Sequence, residues 1–338
     1  MRKALKRCVV LVITCVLLSG CSAAETVTTE KVSAIGFDDL KITAAVFEDG
    51  MRDYMALHQN KLLFMEMGTH EFCYYVLDLE TFECKKIKTI RNASYQSGNS
   101  VLVGDKLYFS VNAKEKYVMD FFTDTVKRAS YVPKDAVLLT EYDGSLLVRR
   151  KDPSEKNTDF IEAINENGEA VPFVLNNNIK MQPICLSGYG ETLSAIEKGE
   201  NKYYFTRYDR DFKMTECVEL TKLFSEFEIE ESIGSFSAFG NCFFISDFSN
   251  NAAVCMVKQG ELSVLLFENG IMKIEDFSGN TSRALFRCVN TNEILSLDMQ
   301  TGEIRSLSLT FETPTDSVES AWVYNEHLLL VKETDPAE

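Results

Sequence analysis

The chain has 338 residues, with 35 basic and 51 acidic side chains, 45% apolar residues and 11% aromatics. That is a folded-protein composition, and it excludes disorder, a collagen-like fibre and a polytopic membrane protein. A net charge of −16 argues against nucleic acid as a partner, because a phosphate backbone is held by clustered Lys and Arg.

The first seven residues carry four positive charges, Arg2, Lys3, Lys6 and Arg7, and no negative one. The mostly apolar stretch 8–18 follows. As a helix it spans ~16 Å, about half of a ~30 Å hydrocarbon core, so it reads as the apolar region of a signal peptide and not as a permanent span. Ser19 and Gly20 then offer a signal protease only small side chains. The run Leu18-Ser19-Gly20-Cys21 resembles the lipobox of bacterial lipoproteins, in which the cysteine becomes the lipidated N-terminus. The resemblance implies lipidation at Cys21, a lipid bilayer as partner through that acylated residue, and a location on the extracytoplasmic side of the cell membrane. Cleavage before Cys21 removes four cations and takes the net charge from −16 to −20. The expected division is a signal peptide over 1–20, the lipidated cysteine and a tether over 21–38, one domain over 39–333 and a tail over 334–338.

Seven cysteines remain beyond Cys21: Cys73, Cys84, Cys185, Cys217, Cys242, Cys255 and Cys288. An odd number leaves at least one thiol free, and the absence of any C-x-x-C spacing gives no support to zinc or thioredoxin-like chemistry. Most lie in apolar runs, where Cys behaves as a small core residue. Cys242 and Cys255 flank Ser249-Asn250-Asn251 almost symmetrically and are the pair to test for a disulfide across a hairpin.

The rest of the chain reads as short strands bounded by Asn, Asp, Gly and Ser. A polar residue or two followed by an apolar run recurs at Leu62, Leu107, Leu146, Leu193, Phe243, Leu285 and Leu328. A second series, an apolar run ending in a polar turn, falls between them at Asp78, Asp120, Asn165, Asp209, Val257 and Asp298. Both series have a period of 39–50 residues. Two interleaved series with one period, built of strands, predict an all-β fold: a β-propeller of four-stranded antiparallel blades. Seven blades follow from the first series, with six or eight as alternatives. The first series marks the second strand of each blade, and the second series the hairpin between the third and fourth. Only seven residues follow Val331, so closure by both chain ends is expected, with 39–49 as an outer strand completing the last blade. Between 193 and 243, Leu220, Leu223, Phe224 and Phe227 recur at helical spacing, which fits a short inserted helix or a further strand.

The pattern, carried by Leu77-Asp-Leu-Glu-Thr81 and Leu297-Asp-Met-Gln-Thr-Gly302, resembles bacterial lipoprotein and secreted propellers of the quinoprotein-like and TolB-like kind. Trp322 is the only tryptophan, so the resemblance extends neither to WD-type repeats nor to tryptophan-docked quinone sites.

Chemistry leaves little local mark. There is no P-loop, no G-x-S-x-G elbow and no paired-histidine motif; His58, His70 and His327 stand far apart. Asp209-Arg-Asp211 and Asn165-Glu-Asn-Gly-Glu169 put oxygen ligands on turns, which suits calcium, but neither completes an EF-hand loop and both residue types are turn formers. No catalytic, cofactor-binding or metal residue is therefore assigned. The expected function is that of a binding or scaffold module for a protein or cell-envelope ligand. The alternative is a glycan- or peptide-acting hydrolase or lyase whose acid and base are carboxylates brought together from different blades.

Overall fold

A computed structural model describes residues 27–35, 41–47, 52–93, 100–112, 114–151, 159–173, 182–189, 191–199, 202–227, 229, 233–247, 251–269, 272–276, 283–288, 293–311, 318–324 and 327–333. Most described residues are strand, and the rest are chiefly the turns that join the strands.

The chain opens with β1 (Thr28–Ile35) and β2 (Lys41–Phe47). Blade one is β3 (Arg52–His58), β4 (Lys61–Met67), β5 (Glu71–Asp78) and β6 (Cys84–Arg91). Blade two is β7 (Val101–Val103), β8 (Lys106–Val111), β9 (Glu115–Asp120) and β10 (Thr125–Arg128). Blade three is β11 (Val137–Tyr142), β12 (Ser145–Lys151), β13 (Asp159–Ile164) and β14 (Ala170–Phe173). Blade four is β15 (Gln182–Tyr189), β16 (Thr192–Lys198), β17 (Tyr203–Tyr208) and β18 (Met214–Glu219), followed by the one-turn-and-a-half helix α1 (Thr221–Glu226). Blade five is β19 (Ile233–Phe239), β20 (Cys242–Asp247), β21 (Asn251–Lys258) and β22 (Glu261–Asn269). Blade six is β23 (Met272–Asp276), β24 (Arg283–Cys288), β25 (Glu293–Asp298) and β26 (Ile304–Phe311). The chain ends on β27 (Val318–Tyr324) and β28 (His327–Glu333).

Those last two strands make a blade only with the first two, in the order β27-β28-β2-β1. β2 lies parallel to β28, from Lys41 opposite His327 to Phe47 opposite Glu333. No hairpin joins them, so the pair is free to be parallel where every other third strand is antiparallel. β1 pairs with β2 through Thr28–Lys31 and then with β26 of blade six through Val32–Ile35. Two expectations are corrected here. The segment 39–49 supplies the third strand of the last blade, not its outer one, and the outer strand is β1, inside the stretch read as a tether. A polar run such as Thr28-Thr-Glu-Lys31 suits an outer strand as well as a linker, and nothing in it separates the two.

All seven repeat positions, Leu62, Leu107, Leu146, Leu193, Phe243, Leu285 and Leu328, fall in second strands and are at most 2% exposed. Leu62, Leu107, Leu146, Leu193 and Phe243 belong to apolar clusters that lie between blades. One joins blades one and two through Leu63, Tyr74, Phe109 and Met119. Others join blades two and three, three and four, four and five, and five and six. The cluster of Phe47, Leu62, Phe64, Leu329 and Val331 joins the last blade to the first. Aromatic side chains meet across these seams, as where Phe205 stacks on Phe243 at 4.6 Å. Each such ring buries enough apolar surface to contribute about 2–3 kcal/mol. First strands meet their neighbours, β7 with β11, β11 with β15, β15 with β19, β23 with β27 and β27 with β3, so they surround a common axis. The helical alternative holds between blades four and five, where α1 buries Leu223 beside Leu220.

Candidate functional site

Cys21 and the whole of 1–26 lie outside the described residues, so the site has to be sought in the propeller. One end of the molecule collects the hairpins between first and second strands and those between third and fourth. Its chemistry starts with a repeated local device. Asp78 accepts the backbone N–H groups of Glu80 and Thr81 at 2.9 and 3.0 Å, and Asp298 those of Gln300 and Thr301 at 2.9 Å each. Asp120 accepts Thr123 N, Asn165 accepts Asn167 N and Glu169 N, and Asp209 accepts Asp211 N and Lys213 N. Three or four residues on, the chain turns left-handed at Phe82, Asp124, Gly168, Phe212 and Gly302. These are Asx-type turns, in which the side-chain oxygen replaces a missing backbone acceptor. Blade five departs from them, with two central residues, Gln259 and Gly260, both at positive φ. The two turns considered for calcium thus commit an oxygen of Asp209 and of Asn165 to their own backbone. Among the described residues no group of three metal-ligating side chains forms.

The same end carries the polar contacts between blades. His58 Nε2 lies 2.7 Å from Asp105 Oδ1, and Lys61 Nζ donates to Asp124 Oδ1 at 2.6 Å and to the Phe121 carbonyl at 2.9 Å. Both tie blade one to blade two. Tyr142, 2% exposed, donates to the carbonyls of Asp209 (2.9 Å) and Glu191 (3.3 Å), tying three to four, and Arg210 reaches back to Asp143 at 3.1 Å. Arg207 ties four to five through the Gly240 carbonyl at 2.8 Å. Beyond these contacts the end is strongly acidic. Its eleven described hairpins (58–61, 78–84, 103–106, 120–125, 142–145, 164–170, 189–192, 208–214, 239–242, 258–261 and 298–304) hold fifteen of the 51 acidic residues and five of the 35 basic ones. They therefore account for ten of the chain's sixteen net negative charges.

Along the axis the first strands approach closely. Gly188 in β15 donates its N–H to Thr140 Oγ1 of β11 at 2.9 Å, and Ala238 of β19 donates to Ser187 Oγ of β15 at 2.9 Å. A Cβ at Gly188 would stand 1.8 Å from the Glu141 carbonyl oxygen, so only glycine permits this approach. Glu141 itself is half-buried. Burial raises its carboxyl above the usual range, against the bond from Gly144 N–H (2.8 Å) that lowers it and the Asp143 charge that adds to the rise. It is a carboxyl held above its ordinary range, and sequence reasoning had no signal for it.

At the opposite end a second feature went unread. Four residues past the repeat position stand Glu66, Arg150, Glu197, Asp247 and Lys332. Glu66 accepts Tyr75 Oη at 2.9 Å, Arg150 donates to Glu162 at 3.1 Å, and the buried Glu197 accepts Tyr208 Oη at 2.6 Å. Asp247 accepts both the backbone and side-chain nitrogens of Asn251. The signal was present as a charge at a fixed offset in an otherwise apolar run. Glu66, Arg150, Glu197 and Asp247 thus answer to partners in the third strand of their own blade.

Cys242 and Cys255 do not pair. Cys242 faces Met256 across the β20–β21 ladder and Phe243 faces Cys255, so the two sulfurs point to opposite faces of the sheet. They join different clusters, one towards blade six and the other towards blade four. Cys73, Cys185, Cys217, Cys242 and Cys255 are free thiols; burial pushes Cys185 and Cys242 up to about 11.

No protein-family model matches the chain, and no curated protein matches it by sequence. Solved structures do resemble it. The β-propeller domain of Cps50 (Swd1) from Myceliophteria thermophila superposes with a TM-score of 0.50 at 12% identity, over 82% of this chain and 91% of that one. Oligogalacturonate lyase from Vibrio parahaemolyticus gives 0.48 at 12% identity over 84% and 86%. BamB from Moraxella catarrhalis gives 0.43 at 14% over 89% and 95%. At 12% identity the likeness to the Cps50 propeller speaks for the fold alone, and with the sheet order above the chain is a β-propeller.

Proposed function

We propose that the chain is a membrane-anchored extracytoplasmic lipoprotein whose propeller serves as a binding or scaffold module for a protein or cell-envelope ligand. The observation that carries this reading is the order of elements: a charged start, a short apolar run and Leu18-Ser-Gly-Cys21, then a propeller strand beginning at Thr28. Acyl chains contribute ~0.8 kcal/mol per buried CH₂, and two or more hold a protein stably at a membrane. A rigid ring of blades is then held at the surface, with hairpins and inter-blade seams as its contact surfaces. The test is an in-cell crosslink and capture of the full-length protein beside Cys21→Ala. A reproducible partner lost in the variant supports the reading; equal membrane retention of both proteins sinks it.

Glu141 motivates the second reading, a glycan- or peptide-acting enzyme. A half-buried carboxyl that burial shifts above the usual range moves in the direction a general acid requires. Turnover of an oligosaccharide or peptide abolished by Glu141→Gln, with the fold intact, would replace the scaffold reading.

A further inference from the structure

We infer that the propeller stands on the membrane with its acidic hairpin end pointing away from the bilayer and its opposite end against the lipid headgroups. The inference rests on lipidation at Cys21 as proposed above. Its first support is the register of β1. Thr28 pairs with Val46, and β2 runs level with β28 so that Phe47 lies beside Glu333. Glu333 is the end of β28 remote from the Tyr324–His327 hairpin. The chain therefore enters the propeller at the end opposite the hairpins. Seven Cα–Cα steps separate Cys21 from Thr28 and reach at most ~25 Å, so the start of β1 stays close to the acylated residue. Its second support is reach. A seven-residue strand at ~3.4 Å per residue sets the hairpin end ~24 Å from the other end. With the hairpin end against the bilayer, β1 would have to start ~24 Å from the surface, at nearly the full reach of its tether.

The test uses the full-length acylated protein in vesicles of phosphatidylcholine and phosphatidylglycerol carrying a headgroup-linked acceptor dye. A donor is attached through an azido amino acid, which leaves the native thiols untouched, either at Thr69 between β4 and β5 or at Phe122 between β9 and β10. Both positions are exposed, Phe122 at 87%. Energy transfer from position 69 is expected to exceed that from 122 by about twofold or more, because ~24 Å separate the two ends. Equal transfer, or more from 122, overturns the orientation. The mass of the N-terminal peptide is read on the same sample. A peptide without acyl chains overturns the lipoprotein reading, and the orientation with it, whereas an acylated peptide with the reversed transfer ratio overturns the orientation alone.

Discussion

Asp298 uses one carboxylate oxygen to hold the backbone N–H groups of Gln300 and Thr301, and those bonds, Thr301's first, keep its carboxyl below the usual range. A carboxyl depressed in the folded state contributes stability that is present above its unfolded pKa and lost as pH falls through the folded value. Asp298→Ala is expected to cost about 1 kcal/mol at pH 7, the net worth of such bonds. Asp298→Asn should cost less than about half of that, since an amide oxygen can accept both bonds as Asn165 does in blade three. Thermal melts of the three proteins from pH 7 to pH 3 check this: the margin of wild type over the asparagine variant should close in acid, where the protonated carboxyl accepts as an amide oxygen does, while the alanine variant stays below both. Glu141 has the opposite sign. Its carboxyl is raised by burial, so its ionisation destabilises the fold as pH rises through the shifted value. Glu141→Gln should melt higher than wild type at pH 7, with the difference gone by pH 4. Thiols follow the same logic: in the folded protein a maleimide should modify exposed Cys217 well before Cys242 and Cys255, and mass spectrometry of timed samples reads the order.

At the scale of elements, the contact between first strands β11 and β15 depends on a missing side chain. Gly188→Ala places a methyl 1.8 Å from a backbone oxygen that sits in a paired strand and cannot swing aside. We expect a loss of about 3 kcal/mol or more, at the upper end of overpacking penalties. Denaturant unfolding should show it as a lowered midpoint, and a midpoint equal to wild type would mean that the strands are further apart than described. Much at this scale was legible. Leu62 and its six counterparts announced the second strands because a buried strand between two packed blades reads as an apolar run with a polar start, and Asp78 and its counterparts announced the hairpins because an Asx turn needs that side chain. What could not be read was Gly188, since a glycine between Ser187 and Tyr189 looks like any loop glycine until its neighbour in the ring is known. Glu141 was hidden for a related reason, its burial being set by the fold and not by any local pattern. The pairing of Cys242 with Cys255 failed on face, not distance: symmetry about a turn does not fix which side of a sheet a residue takes.

At the scale of the whole molecule, the ring is closed by residues that are almost 300 positions apart in sequence, Lys41–Phe47 and His327–Glu333. The period implied that closure, but it could not assign 28–35 to the last blade, because an outer strand buries little and its sequence need not alternate. The closure makes a prediction for a truncated protein. Removing 22–47 strips β28 of its parallel partner and takes Ala44, Ala45 and Phe47, all fully buried, out of the last blade. It exposes Leu329 and Val331 on the seam with blade one and leaves the edge of β28 with unpaired N–H and C=O groups. Phe47 alone is worth about 2–3 kcal/mol of burial, a large part of the ~5–15 kcal/mol that holds a domain folded. The truncated chain should therefore lose its cooperative melt and associate edge to edge, seen as early elution and light scattering. A chain lacking only 22–26, which keeps Val27 on the seam with blade one, should remain monomeric with an unchanged melting temperature. Addition of a peptide covering 28–47 should restore monomer and melt together, because it replaces the two strands that no other part of the molecule can supply. A truncated chain that stays monomeric and melts as before would show that the terminal strands adorn the ring without closing it.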